Sequence, residues 1–560
     1  MRRALVGFVT VVASLVVGVS VASANTYSTT GPTLASGASP FSAGCGGAGE
    51  GFHTASEVPG VNSLGTEVEP WFEVNPQNAM DLVGFWQQDR WSDGGAHGLV
   101  AGVSHDGGAS WSKSWPAFSN CAGGTAANGG DYERASDPWI SWSPSPSNGL
   151  GTLHAISISF DRSTAHNAVL TSRSLNGGNT WSAPITLKED NSNSGPLANL
   201  FNDKESITAD PVDTNNVYAV WDRIESPNDN PLTPAQAYAN ALAFRGPAWF
   251  ARSTDNGATW EPAREIFAPQ ASRTQTIANQ IVVLPGGTLV DGFVYIKGSN
   301  GQGISSGDNA AVISSGDQGT TWSSTATIIA NMGDRGVRDP EPVNCLGDNT
   351  PSTPCLLVRT GDIAPDFAVD YSTNRDTRGN MYAVWQTHRS ATVSQLGSTF
   401  PVDDTILLSR STDGGHHWST PVKVNQTPSD AYNPQAFTAS VHVSSNGDVA
   451  VTYYDFRNDK EGAADRGKLL TDYWVVHCHA ATSDCTDKAN WTNESELTVD
   501  SRGRPAPFDM RTAPYAVGYF TGDYEGLDNF GTTFTPFFVQ ADGSDPFHPL
   551  SDAFYSTAGP

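Results

Sequence analysis

Two kinds of chemically capable residue recur along the chain at a common spacing. Arginine ends a series of apolar runs, as Asp89-Arg90, Asp161-Arg162, Asp222-Arg223, His388-Arg389 and Asp455-Phe456-Arg457, with Lys297 in the corresponding place of a further run. A guanidinium presents a planar two-pronged fork to a carboxylate, so several that converge would hold an anion. The alternative is that each clamps its neighbouring Asp or an adjacent element. Acids recur one run earlier, as Glu69, Asp137, Glu205, Asp366 and Asp523, with Arg134 just before Asp137 and Gln435 in a sixth place. Paired carboxyls, one acid and one base or nucleophile, are the set that cleaves glycosidic bonds. Tyr524 lies between Asp523 and Glu525. A phenol gives up its proton only to a positioned base. Neighbours on a strand face opposite sides, so the base for Tyr524 would come from elsewhere, Glu205 being the candidate. The bland alternative is a buried Tyr. The catalytic candidates are therefore Tyr524, Glu205, Asp137, Asp366 and Asp523, and the binding candidates Arg90, Arg134, Arg162, Arg223, Arg389 and Arg457.

The elements that must position these residues are announced by one repeated turn, Ser-x-Asp-x-Gly-x-x-Trp. It runs Ser104 to Trp111, Ser253 to Trp260, Ser315 to Trp322 and Ser411 to Trp418, and a fifth copy, Ser174 to Trp181, carries Asn176 in place of Asp. Asp or Asn accepts from backbone N–H groups just ahead, Gly supplies a positive φ, and Trp covers the turn with an apolar face. Each copy sits between alternating runs that read as strands, and no long stretch has helical periodicity. Starts near 69, 137, 205, 279, 366, 435 and 523 define units of four short strands. Asn216 to Trp221 and Asn380 to Trp385 are near copies. Ser483 to Trp491 reads as an enlarged turn in the sixth unit. One such sheet exposes both faces, so the units must pack on one another. The expectation is all-β: a β-propeller of four-stranded antiparallel blades, seven favoured and six the alternative, over residues 66–560. The last unit is a strand short, and the region 25–65 would close the ring by supplying it. In such a blade the starts of first strands and the ends of second strands share one rim, and the repeated turns lie on the other. Chemistry is expected on the rim without the turns.

The 560 residues carry a net charge of −27, which argues against nucleic acid and anionic membrane surfaces as partners. Met1-Arg2-Arg3, an apolar Leu5 to Val21 and Ala22-Ser23-Ala24 read as a signal peptide over 1–24, hence export with no membrane span after cleavage. Six cysteines in an exported chain imply disulfides; proximity pairs Cys345 with Cys355 and Cys478 with Cys485, leaving Cys45 with Cys121. His477 and His479 beside Cys478 offer a metal site as the alternative. No cofactor is called for, although acidic starts could ring a Ca²⁺ ion. Oligomeric state is not readable.

The repeated turns resemble the Asp boxes (BNR repeats) of sialidases and related β-propellers, and the order Glu69-Pro-Trp, Trp86-Gln-Gln-Asp-Arg, first box is similar to secreted bacterial sialidase-like proteins. The resemblance implies an exo-α-sialidase type of glycoside hydrolase acting on terminal anionic sugars, with arginines gripping a carboxylate, a Tyr–Glu nucleophile pair and an Asp acid/base. The family's Arg-Ile-Pro string has its nearest counterpart at Arg223-Ile224-Glu225. The same boxes occur on non-catalytic glycan- or protein-binding propellers and on polysaccharide-cleaving enzymes, which are the two alternatives. A carbohydrate or glycoconjugate is the implied partner.

Overall fold

The computed structural model describes residues 27–42, 44–45, 60–144, 150–162, 164–191, 200–225, 245–269, 274–297, 307–333, 337–338, 357–387, 390–393, 398–401, 404–460, 468–516, 518–542 and 550–560. The signal-peptide reading, the Cys345–Cys355 pairing and Arg389 lie outside them.

The described residues are strands and turns, with two short 3₁₀ turns; most strands pair as antiparallel meanders, and a small separate sheet pairs Leu357–Arg359 in parallel with Tyr519–Phe520. The first comprises Asn62–Val74, Leu82–Trp91, Ala96–Ser104 and Ser112–Ser114. The second comprises Arg134–Ser143, Thr152–Phe160, Asn167–Ser174 and Ile185–Asp190. The third is Leu200–Ala209, Val217–Glu225, Ala248–Ser253 and Arg264–Phe267, and the fourth Thr274–Val283, Leu289–Lys297, Gly307–Ser315 and Thr327–Asn331. The fifth is Asp366–Val369, Met381–Thr387, Thr405–Ser411 and Val422–Lys423, and the sixth Ala436–Val443, Asp448–Asp455, Leu470–His479 and Asn493–Glu496. In the seventh, Gly526–Phe530, Thr533–Asp542 and Leu550–Gly559 are joined by Ser28–Leu34 from the opposite end of the chain.

Hydrogen bonds carry the first strands onward from the second meander round to the first. Ala209 N donates to Ser141 Oγ, Ser206 Oγ to Asn279 O, Phe367 N to Gln280 Oε1, Val441 N to Asp366 Oδ2 and Ser440 Oγ to Glu525 O. Val74 N donates to Asp528 Oδ2, which brings the seventh meander back to the first, and Tyr524 OH donates to Pro138 O. The core fills the spaces between adjacent sheets. Trp86, Trp221 and Trp385, all on second strands, are fully buried, each burial contributing on the order of 2–3 kcal/mol.

The repeated turn has one geometry in all five copies. In the copy at 253, Ser253 Oγ donates to Asp255 Oδ1 at 2.9 Å and accepts from Gly257 N at 2.8 Å; Asp255 accepts from Thr259 N at 2.8 Å and Thr259 Oγ1 at 2.6 Å. Gly257 has φ +72°, and a Cβ there would lie 2.7 Å from His154 of the preceding meander, so glycine is required twice over. Trp111, Trp322 and Trp418 donate Nε1 to the box glycine's carbonyl. In the sixth meander Trp491 does the same to Cys485 O, inside the Cys478–Cys485 disulfide. Cys45 is bonded to Cys121. His477 stacks on Tyr27 at 3.5 Å and His479 pairs with Asp448 at 2.9 Å, so both have protein partners.

Replacing Asp255 by Ala removes three acceptor contacts from one turn, and we expect a loss of about 1–2 kcal/mol in chemical unfolding, with Asp255→Asn recovering most of it, as Asn176 does in the second meander.

Candidate functional site

The first strands of meanders one to four and six are each interrupted by a bulge, and the residue at the bulge is left-handed. Glu69 (φ 52°), Asp137 (φ 55°), Lys204 (φ 48°), Ala278 (φ 57°) and Thr438 (φ 46°) occupy this place in meanders one to four and six. A non-glycine residue at positive φ costs of the order of 1 kcal/mol or more and persists only where its surroundings hold it. Here the bulge turns side chains inward and brings charges from distant parts of the chain together.

The result is a buried ionic hub. Lys204 Nζ lies 3.0 Å from Glu69 Oε1, 3.4 Å from Asp137 Oδ1 and 2.7 Å from Asp523 Oδ2. Arg359 holds Asp523 with both prongs, Nε to Oδ1 at 3.0 Å and Nη2 to Oδ2 at 2.5 Å. Gln87 Nε2 donates to Glu69, and Arg90 Nη1 donates to Gln87 Oε1 at 2.5 Å. Phe520 stacks against both guanidinium groups, at 5.2 Å from Arg90 and 4.3 Å from Arg359. Burial opposes charge on Lys204, but Asp137, Asp523 and Glu69 outweigh it and hold the ammonium well above its ordinary value. Burial likewise raises Asp137 and Asp523, yet Lys204 with Arg90, and Arg359 with Lys204, keep both below the usual carboxylate range. Glu69 is the third acid on the ammonium, and there burial wins over Lys204 and lifts the carboxyl to about 7.

Glu205 is in the opposite condition to Asp137 and Asp523. It is buried, and burial followed by repulsion from Asp137 lifts its carboxyl well above the ordinary range. Neither oxygen has a hydrogen bond of good geometry, the N–H groups of Glu205 and Ile158 lying near enough only to soften the shift. Glu205 faces a space of about 20 Å³ shared with Trp71, Trp139, Lys204, Asn279, Asp366 and Tyr524. That is room for one water molecule.

The other sequence candidates are placed as follows. Asp137 and Asp523 are in the hub. Glu205 adjoins it but is not the counterpart of Glu69 and Asp137: Lys204 holds the bulge position, and one residue along a strand changes the face. Tyr524 packs edge-on against Trp71 and Trp139 and donates to Pro138 O at 3.1 Å. Burial and then the surrounding acids, Glu69 first, raise its phenol well above the ordinary value. Asp366 ties two first strands through Phe367 N and Val441 N, and burial lifts it to about 6. Arg90 alone of the described arginine candidates reaches the hub.

The remaining forks are filled by the protein's own carboxylates. Arg134 Nη1 donates to Asp93 Oδ1 at 2.7 Å and Arg162 Nε lies 3.4 Å from Asp93 Oδ2. Arg223 Nε donates to Asp190 Oδ2 at 2.9 Å, and Arg457 binds Asp455 Oδ2 at 2.7 Å and Glu494 Oε2 at 2.5 Å. Arg134, Arg223 and Arg457 also lie over Trp91, Trp249 and Trp474. Lys204, Gln87 and Arg359 escape sequence reasoning. Only Lys204 carries a legible signal, a lone cation beside an expected first-strand acid. The point on which the acidic starts converge is filled by its ammonium.

A cavity of about 560 Å³ lies along the axis beyond Trp71 and Trp139. It is lined by the later halves of the first strands and the turns that follow them. Gly107 N donates to Met80 O, and Asn256 N to Asn215 O, joining repeated turns to those same connections, so the cavity opens on the face the repeated turns occupy. The cavity thus lies on the opposite face from the rim on which chemistry is expected.

Removing one partner of a buried pair leaves an uncompensated charge, so Arg134→Ala and Arg223→Ala are each expected to lower unfolding stability by about 3–5 kcal/mol in chemical denaturation. Burial raises Asp222 to about 7 and Asp366 to about 6. Between an unfolded carboxyl value near 4 and these values the folded state binds more protons, so stability falls as pH rises, by up to about 1.4 kcal/mol per pH unit per group. The melting temperature is expected to be higher at pH 5 than at pH 7.5.

No family model matches the chain, and no curated protein matches it. Among solved structures, the Hadza microbial sialidase Hz136 aligns at 12% identity over 86% of this chain and 74% of that one, with a TM-score of 0.41. The α-L-arabinofuranosidase arb93a from Fusarium graminearum, in complex with an iminosugar inhibitor, aligns at 12% identity over 71% and 92%, TM-score 0.42. A point mutant of NanB sialidase from Streptococcus pneumoniae aligns at 13% identity over 89% and 68%, TM-score 0.40. No residue role is transferred from these likenesses.

Proposed function

We propose that the protein is an extracellular glycoside hydrolase of sialidase-like architecture, its meanders forming the blades of a seven-bladed propeller and its chemistry residing at the axial hub. One observation carries this reading: a single cluster sets Glu205, buried with neither oxygen hydrogen-bonded and its carboxyl raised by burial, beside Asp137 and Asp523, which Lys204 and Arg359 hold and lower. Environments that push carboxyls apart in this way divide the acid role from the nucleophile or base role. Glu205 would give its proton to the departing glycosidic oxygen. Asp137 or Asp523 would meet the positive charge developing on the sugar, and the water-sized space beside Glu205 would hold the water that hydrolysis consumes. Tyr524, donating to a backbone carbonyl and holding its proton tightly, acts in this scheme as a wall rather than a nucleophile. Arg90 is the candidate for an anionic substituent, since the forks of Arg134, Arg223 and Arg457 are filled.

The second reading is a non-catalytic glycan-binding propeller. It is favoured by those filled forks and by the size of the space at Glu205. Fluorophore release from a panel of glycosides, a sialoside and an arabinofuranoside among them, separates the two across pH 4–8. Hydrolysis is expected, with Glu205→Gln lowering kcat about a hundredfold or more while leaving the fold intact. No release above a heat-denatured control from any glycoside would sink the hydrolase reading.

A further inference from the structure

The axial cavity on the face of the repeated turns has a charge character unlike the hub. The ionisable side chains lining it are Glu73, Asp366, Asp528 and His442, and neither lysine nor arginine lines it. Asp366 is committed to two backbone N–H groups. Asp528 accepts from Val74 N at 2.7 Å and lies 3.2 Å from His442 Nε2. Glu73 is partly exposed and has no ion pair among the described residues, and the backbone N–H of Trp142 and the Trp71 side chain lie near enough to soften its shift. Burial, and then Asp528, push its carboxyl well above the ordinary range, which is the condition of two neighbouring acids short of a cation. Beneath the floor, Glu205, with neither oxygen hydrogen-bonded, lines the small space that borders the cavity through Trp71, Trp139, Gln280 and Asp366. The walls are apolar and aromatic, with Trp71 and Trp139 stacked at 3.4 Å and Phe72, Trp142 and Phe530 around them. Exposed Phe530, Met80, Leu150 and Val212, on the corresponding turns of four successive meanders, extend the apolar surface.

We propose that this cavity is a binding site for a saccharide carrying a protonated primary amine, the ammonium lying between Glu73 and Asp528 and the sugar rings against the tryptophan floor. An ammonium supplies the positive charge that the lining lacks, and aromatic faces attract cations. The cavity volume suits a small ligand of a few rings. A polypeptide carrying the same amine would bring two backbone polar groups per residue against strands whose ladders are already paired. Sugar rings carry no such backbone ladder and lie flat against the aromatic wall of Trp71, Trp139 and Trp142. The site does not depend on the hydrolase reading, because it is defined by binding.

Titration calorimetry on the full chain at pH 6.5 tests it with three probes: a glucosamine trimer, its fully N-acetylated counterpart and trilysine. The glucosamine trimer is expected to bind at least about tenfold more tightly than either of the others. Glu73→Gln and Asp528→Asn should each weaken it about tenfold, the loss of one charged contact, with the melting temperature unchanged in Glu73→Gln. The site is disproved if the acetylated trimer or trilysine binds as tightly, if no probe gives heat, or if both variants bind like the parent. The probe comparison is made on the parent protein, so it holds even where a variant fails to fold. Failure of the hydrolase reading would show instead as absent glycoside cleavage with this binding intact.

Discussion

The Lys204 ammonium is the interaction on which the centre of the molecule depends. It bridges acids from the first, second and last meanders, Glu69, Asp137 and Asp523, at 3.0, 3.4 and 2.7 Å. Three carboxylates this close and this buried could not all remain charged alone. With Lys204 and Arg359 supplying the opposing charge, Asp137 and Asp523 stay ionised and the positive-φ bulges are held in place. At Glu69, Asp137 and Lys204 the bulge provides the geometry and the ion network helps to hold it, whereas Ala278 and Thr438 adopt the same backbone without a charge.

That arrangement also divides the labour of the carboxyls. Asp137 and Asp523, which face Lys204 and the nearby guanidinium groups, are anions; Glu205, one residue beyond Lys204 on its strand, faces the other way and stays neutral. A one-residue difference thus separates a charge-holding role from a proton-holding one. The peripheral arginines show the same economy. Each repeats a clamp between strands or meanders, with a tryptophan ring beneath most of them, which is what a repeated scaffold requires of a repeated residue.

Several features were legible because they are local. The Ser-x-Asp-x-Gly turns, the four-strand rhythm, the missing last outer strand and the pairing of Cys478 with Cys485 all rest on neighbours within a few residues, or on a simple count of strands. The enlarged turn before Trp491 was legible for the same reason. The hub was half legible. Acids at the starts of units could be named, but the counterpart of Glu69 and Asp137 in the third unit is Lys204, and a bulge moves the register without leaving a mark in composition. Arg359 lies outside the repeat and had no periodic signal at all.

The amino-acid sequence by itself determined the all-β meanders and their turns, because alternation, glycine and the Asp–Ser pair act over a handful of residues and need no distant partner. Only the tertiary structure decided which charges meet. Lys204 and Asp523 are 319 residues apart in the chain, and whether an arginine grips a ligand or its own Asp depends on packing between sheets. The same holds for the axial cavity, whose lining comes from the first strands of all seven meanders. Its lack of lysine and arginine exists only once those strands stand side by side.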